Sequence, residues 1–246
     1  MICLLDSGVG GLTVLNEVKR VSPDLRIIYL ADNKNFPYGT KNQDEIQDAV
    51  FAAQKGLETF CLEKIYIACH TASVALQTQP NSFGLISSVT KKMVLESLAR
   101  ESVAILGSSA TINTGFYQNL FSEKGYTRIQ GFDLQNLIQM IESGLKDEEI
   151  FLEQLKEVVL FAPDTILLAS THFPHIESFL STLFPYAKMM NPSLRFAQEI
   201  CRHSGLYAKG DLNEDLFVTT RHCPKFLHML QKNPINNLLK KDARHV

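Results

Sequence analysis

The stretch Ile65-Tyr-Ile-Ala-Cys-His-Thr-Ala-Ser73 is an apolar run that stops abruptly at a cysteine, a histidine and small hydroxyl residues. A second stretch, Ile166-Leu-Leu-Ala-Ser-Thr-His-Phe-Pro174, has the same shape, with Ser170 in the place that Cys69 holds in the first. Short apolar runs of this kind read as buried strands. In an open α/β sheet, ligands collect outside the carboxyl ends of parallel strands, so these two ends are where chemistry is expected.

Working outward, Ile2 to Leu5 is a strand, Asp6-Ser-Gly-Val-Gly-Gly11 a glycine-rich turn, and Leu12 to about Val21 a helix. Arg26 to Ala31 is a second strand, followed by a loop containing Pro37-Tyr-Gly39. Asn42 to about Leu62 has helical spacing, with apolar residues at three- and four-residue steps, and leads to the strand that ends at Cys69. A helical stretch Ala72 to Gln77, a strand Phe83 to Ser87 and a helix Lys91 to Arg100 follow. The strand Val103 to Leu106 then opens a second round. Ser7 and Ser108, Asp32 and Asp133, and Cys69 and Ser170 are each 101 positions apart, and each pair sits at a strand end. That common spacing predicts a duplicated βαβαβ unit with the ligand between the copies. Glu148 to Leu160 is the helix before the second copy's third strand. Leu194 to about Lys209, Leu216 to Thr219 and Lys225 to Gln231 are a helix, a strand and a helix that return to the first half, before a polar tail expected to fray or lie on the surface.

Composition narrows the function. The 246 residues are 45% hydrophobic, enough for one large core or two moderate ones, and carry a net charge of −2 from 24 basic and 26 acidic residues. Scattered charge of both signs gives no footprint for nucleic acid or an anionic membrane. Cys3, Cys61, Cys69, Cys201 and Cys223 are an odd set without a C-x-x-C pair, which argues against a disulfide framework and against structural zinc. No apolar run approaches a membrane span and no leader pattern precedes the first strand, so a cytoplasmic chain is expected. The glycine-rich loop lacks G-x-x-x-x-G-K-[ST] and does not complete G-x-G-x-x-G, which sets nucleotide binding aside.

Taken together, Asp6-Ser-Gly-Val-Gly-Gly-Leu-Thr-Val14, Tyr29-Leu-Ala-Asp32, Pro37-Tyr-Gly39, Ala68-Cys-His-Thr-Ala-Ser73 and Thr171-His-Phe-Pro174 resemble the glutamate racemases. Ile138-Gln-Met-Ile-Glu-Ser-Gly144 is similar to the family segment that carries a glutamate near the active site. The resemblance implies two pseudo-symmetric α/β domains with mainly parallel sheets, residues 1–87 with 196–246 and residues 88–195, and an active site in the cleft between them. It further implies a cofactor-independent isomerase of the aspartate/glutamate racemase superfamily. Such an enzyme acts on a small dicarboxylic amino acid, glutamate or aspartate, supplies D-glutamate for peptidoglycan and works as a homodimer. Two departures stand out. The family's Ala-Cys-Asn-Thr is Ala68-Cys-His-Thr71 here, and its Gly-Cys-Thr-His-Tyr-Pro is Ala169-Ser-Thr-His-Phe-Pro174.

Inverting a stereocentre by proton transfer needs a base on one face of the carbon and an acid on the other. Cysteine suits this, because an ordinary thiol pKa of about 8.5 allows both protonation states near neutral pH with modest tuning. Cys69 is the first catalytic candidate, against the common fate of a free cysteine as a small buried hydrophobe. Ser170 stands on the opposing strand end as a weakened half of the pair, since its hydroxyl gives up a proton far less readily; capping the strand end is its other reading. The resemblance implies that the first-half cysteine works on the α-proton of the D-enantiomer, so with Ser170 a weak partner D-glutamate should exchange through Cys69 faster than it inverts, and L-glutamate should exchange slowly. By the resemblance, Asp6 orients or tunes the thiol and His172 assists on the second face. Ser7, Pro37, Tyr38, Gly39, Thr71 and Thr171 bind the substrate, and Glu142 is a weaker carry-over, since a glutamate near a helix end commonly faces solvent. His70 joins the substrate-binding set by position alone; on an extended strand it would point away from Cys69. A Cys/His hydrolase, a single-thiol isomerase or other carbanion-forming enzyme on a related dicarboxylate, and an amino-acid-binding homologue without turnover are the other readings. No lysine motif suggests a Schiff base, and no histidine or cysteine spacing suggests a metal, so neither cofactor nor metal is expected.

Overall fold

In the computed structural model, residues 1–79, 83–99, 101–204, 215–221 and 243–245 are described. The elements are β1 (Ile2–Asp6), α1 (Leu12–Val21), β2 (Ile27–Ala31), α2 (Gln43–Lys55), β3 (Lys64–Ile67), α3 (His70–Ala75), β4 (Phe83–Leu85) and α4 (Ile86–Glu96), then β5 (Ser102–Gly107), α5 (Ser109–Asn113), α6 (Phe116–Lys124), β6 (Arg128–Asp133), α7 (Gln135–Glu142), α8 (Glu148–Gln154) and α9 (Lys156–Phe161). The remainder are β7 (Thr165–Ala169), α10 (Glu177–Leu183), β8 (Lys188–Met190), α11 (Ser193–Ser204), β9 (Leu216–Thr219) and β10 (Ala243–His245).

Two sheets form, both with parallel pairing throughout. The first has the order β10-β9-β2-β1-β3-β4 and the second β6-β5-β7-β8. The order β2-β1-β3-β4 recurs as β6-β5-β7-β8, so the 101-residue spacing reflects a repeat of topology. The fold is therefore α/β, as the alternation of apolar runs with helical segments predicts.

Both faces of each sheet are covered, which is why the strands read as unbroken apolar runs. Along β1, Ile2 and Leu4 point into a core shared with Val14 and Val18 of α1 and Phe196 and Ile200 of α11. Cys3 and Leu5 point the other way, toward Ile46 and Val50 of α2. In the second sheet, Ala104 and Leu106 of β5 pack with Leu137 and Ile141 of α7, while Val103 and Ile105 pack with Tyr117 and Phe121 of α6.

Several boundaries differ from the sequence reading. α2 starts on a capping box, Asn42 accepting from the Glu45 N–H and Glu45 accepting from the Asn42 N–H, but stops at Lys55 because Gly56 ends it. β3 ends at Ile67, two residues before Cys69, and α3 begins at His70. β4 gives way to α4 at Ile86, five residues earlier than spacing suggests, where the Ser87 N–H and hydroxyl bond to Ser73. The helix read over 148–160 is two helices meeting at Leu155, whose side chain is fully buried. The spacing missed α5, α6, α10 and β8. At the other end, residues 243–245 of the tail form β10, an edge strand beside β9, so this part of the tail is packed on the sheet and not frayed. The predicted helix 225–231, and the part of the predicted helix beyond residue 204, lie outside the described residues.

Candidate active site

The carboxyl ends of β1, β3, β5 and β7 face one cleft, lined by Ser7, Cys69, Thr71, Ser108, Ser170 and His172 among others, with about 320 Å³ of space including its mouth. The sequence pattern places polar side chains there because each strand's apolar run ends just before it.

On the first side, Cys69 precedes α3 and is 6% exposed. Its Sγ lies 3.8 Å from Ser7 Oγ. Burial, reinforced by the Asp6 charge, pushes the thiol up to about 12, against the hydrogen bonds from the Ala72 N–H, the Ser7 hydroxyl and the Thr71 N–H. The modest tuning expected of this thiol is thus replaced by a strong rise, and Cys69 rests protonated at neutral pH. Asp6 is fully buried and accepts from the Gly8 N–H at 3.0 Å and the Thr171 hydroxyl at 3.1 Å. Burial raises its carboxyl to about 6; His172, the Gly8 N–H and the Thr171 hydroxyl oppose the rise and Glu142 adds to it.

On the second side, the residues form a chain. His172 Nε2 lies 2.6 Å from Glu142 Oε2, and a carboxylate only accepts, so Nε2 carries a hydrogen. Nδ1 then faces the Ser170 hydroxyl at 3.4 Å, a long contact of the kind catalytic dyads show before substrate tightens them. Burial lowers the His172 pKa, but the hydrogen bond and charge of Glu142, with Asp6 beyond, outweigh it and leave the imidazole above its ordinary value. Glu142 also accepts from the Val9 N–H at 3.0 and 3.2 Å, and its side chain is 15% exposed. The solvent-facing alternative for this glutamate is corrected accordingly.

The glycine-rich loop makes this approach between the two sides feasible. A Cβ on Gly8 would lie 2.7 Å from Glu142 Oε2, and one on Gly10 2.7 Å from His172 Nδ1 and in contact with Thr171 Oγ1. The glycines therefore serve close approach, with φ outside the left-handed region.

His70 does not pair with Cys69. The strand has ended before it, and its Nδ1 lies 2.6 Å from the Tyr117 hydroxyl, while burial holds the imidazole down at about 3, so it is neutral. Thr71, Ser108 and Thr111 hydroxyls lie within 2.8 to 3.0 Å of one another. Tyr38 donates to Asp32 at 2.6 Å, and Asn35 and Thr220 bond to the same carboxylate, fixing the loop that carries Pro37, whose peptide bond to Phe36 is cis, and Gly39. Ser108 and Gln135 line the cleft and Asp32 fixes its Tyr38 loop, and the sequence reading gave none of the three a role in the site; the repeat pointed to Asp32 and Ser108, whereas nothing in the local pattern marks Gln135. Among the described residues no group of three or more His, Cys, Asp or Glu side chains is placed to share a metal ion.

No family model matches the chain. It is 31% identical over 195 residues to a glutamate racemase of Halothermothrix orenii, covering 75% of this chain and 76% of that protein. To a glutamate racemase of Persephonella marina it is 28% identical over 227 residues, 89% of this chain and 87% of that one. The crystal structure of a glutamate racemase isoform from Bacillus anthracis superposes with a TM-score of 0.84 at 26% identity, covering 99% of this chain and 96% of the other. The structural match takes in nearly the whole chain, and with the 31% identity the chain belongs to the glutamate racemase family of isomerases.

Proposed function

We propose that this protein interconverts L- and D-glutamate by passing the α-proton between groups from the two sides of the cleft. The observation that carries the reading is the meeting, in one cleft, of the buried Cys69 thiol and the Glu142–His172–Ser170 chain. In one direction the His172 Nδ1 lone pair, directly or through the Ser170 hydroxyl, takes the α-proton, and the Cys69 S–H delivers its own proton to the opposite face. One C–H bond breaks and one forms, leaving thiolate and imidazolium, which re-equilibrate with solvent or run the step backward. Ser7, Thr71, Thr171 and the backbone of residues 37–39 hold the substrate, and Asp6 positions Thr171 across the cleft. The reaction needs no cofactor, and its product supplies peptidoglycan synthesis in the cytoplasm, with the enzyme acting as a homodimer. Among the described residues no helix is long and apolar enough to cross a membrane.

Circular dichroism of L-glutamate with the purified protein and no added cofactor tests the reading, with aspartate as a parallel substrate. The glutamate signal should decay to zero. A folded protein that binds glutamate and leaves the signal unchanged would instead be a binding homologue. The long Ser170 to His172 contact favours one second reading, α-proton exchange through Cys69 with little inversion, which isotope incorporation separates from racemisation.

A further inference from the structure

Gln135 stands out among the cleft residues. It is the first residue of α7, 8% exposed, and its backbone N–H donates to Asp133 at 3.0 Å. Its side chain lines the cleft opposite Gly39, yet neither Nε2 nor Oε1 has a hydrogen-bond partner. Buried amide groups are nearly always paired, and this one, on the cleft wall with Oε1 against Gly39, has both a donor and an acceptor without a partner. Gly39 is needed for the arrangement, since a Cβ there would run into Gln135 Oε1 and come within 2.6 Å of Ser108 Cβ.

The surrounding groups say what the amide would meet. The described residues that line the cleft include no lysine or arginine, and His70 is neutral. The Thr71, Ser108 and Thr111 hydroxyls can each donate to the next around a ring, which uses their protons internally and leaves lone pairs free for a ligand N–H. A side-chain carboxylate could use Gln135 Nε2 but would face Oε1 and the ring oxygens as like dipoles. A carboxamide matches all of them, its C=O accepting from Nε2 and its NH₂ donating to Oε1 or the ring.

We propose that Gln135 contacts the substrate's side-chain end and that the cleft accepts an amino acid with an ω-carboxamide, glutamine, alongside glutamate. This rests on the racemase reading of the site and names the specificity of that site.

Calorimetric titration of D-glutamine and D-glutamate into the full chain tests it, with Gln135→Leu and the isosteric Gln135→Glu as variants. D-glutamine should bind the parent protein within tenfold of D-glutamate. In Gln135→Leu the ratio of glutamine to glutamate affinity should fall at least tenfold. In Gln135→Glu it should rise at least tenfold, because the new carboxylate repels glutamate and still accepts from the carboxamide. Glutamate binding without glutamine binding, or a ratio unmoved in both variants as water at the amide would give, overturns the inference and leaves the racemase reading standing. Binding of neither amino acid to the parent overturns both.

Discussion

Replacing Glu142 with Gln removes a charge and keeps a shape. The Gln carbonyl can still accept from His172 Nε2, now 2.6 Å from Glu142, and from the Val9 N–H, so the tautomer and the loop are preserved. What is lost is the difference between a charge-assisted and a neutral hydrogen bond to the imidazolium that forms as His172 takes the α-proton. Hydrogen bonds to charged groups contribute about 1.5–3 kcal/mol and neutral ones about 0.5–1.5, so the variant forfeits about 1–2 kcal/mol. That is about a five- to thirtyfold fall in the racemisation rate. The pH profile should move as well. Glu142 raises the His172 pKa, so the acidic limb, where the base is lost to protonation, lies above the ordinary imidazole range. Without the charge the imidazolium is less stable and the limb moves to lower pH. Circular dichroism rates from pH 5 to 9 at saturating and limiting glutamate measure both effects. A plateau within twofold of the parent, with an unmoved limb, would refute the role given to the Glu142–His172 pair.

Cys69→Ala should reduce racemisation, and the α-proton exchange of D-glutamate, by at least about 100-fold while glutamate still binds in a calorimeter, since the thiol moves the proton on that face and other groups hold the carboxylates. Ser170→Cys should raise the racemisation rate more than tenfold by placing an acidic thiol 3–4 Å from His172, in the reach of the present 3.4 Å contact. Gly10→Ala drives a methyl group into Thr171 and His172 and should lower the rate by about 100-fold through misplacement alone, with a lower melting temperature in the same preparation.

The strand-end motifs carried most of the fold in the sequence. β1, β2, β3 and β7 are buried on both faces, so their apolar runs are continuous, and the hydroxyl and thiol residues after them mark where burial by neighbouring helices stops. The 101-residue spacing between Cys69 and Ser170 survives as matching strand order in the two sheets because topology repeats where side chains have diverged. Elements shaped by tertiary partners were less legible. α4 begins at Ile86 because Ser87 finds Ser73, and β8 is three residues long, too short for any period to register. Around the cleft, the motifs pointed to Cys69, Asp6 and His172, which the fold brings to the strand ends of its two sides. The thiol's high pKa was not, because burial by distant segments sets it. Glu142 looked like an ordinary helix-end carboxylate until the fold brought Val9 and His172 against it. Gln135 lies in an unremarkable helix start, and only its position across from Gly39, nearly a hundred residues earlier, gives it meaning.

The central claim is that two proton-transfer groups, one on each side of the cleft, act in one turnover. Incorporation of solvent deuterium into each enantiomer, followed by chiral separation and mass spectrometry at low conversion, tests it most directly. Starting from L-glutamate in heavy water, newly formed D-glutamate should carry deuterium at the α-carbon while the remaining L-glutamate stays protiated, and the reverse experiment should mirror it. That pattern requires the Ser170–His172–Glu142 side to be a working partner to Cys69. Deuterium accumulating in recovered D-glutamate faster than L-glutamate appears, with L-glutamate slow to exchange, would contradict the claim and leave Cys69 as the single base.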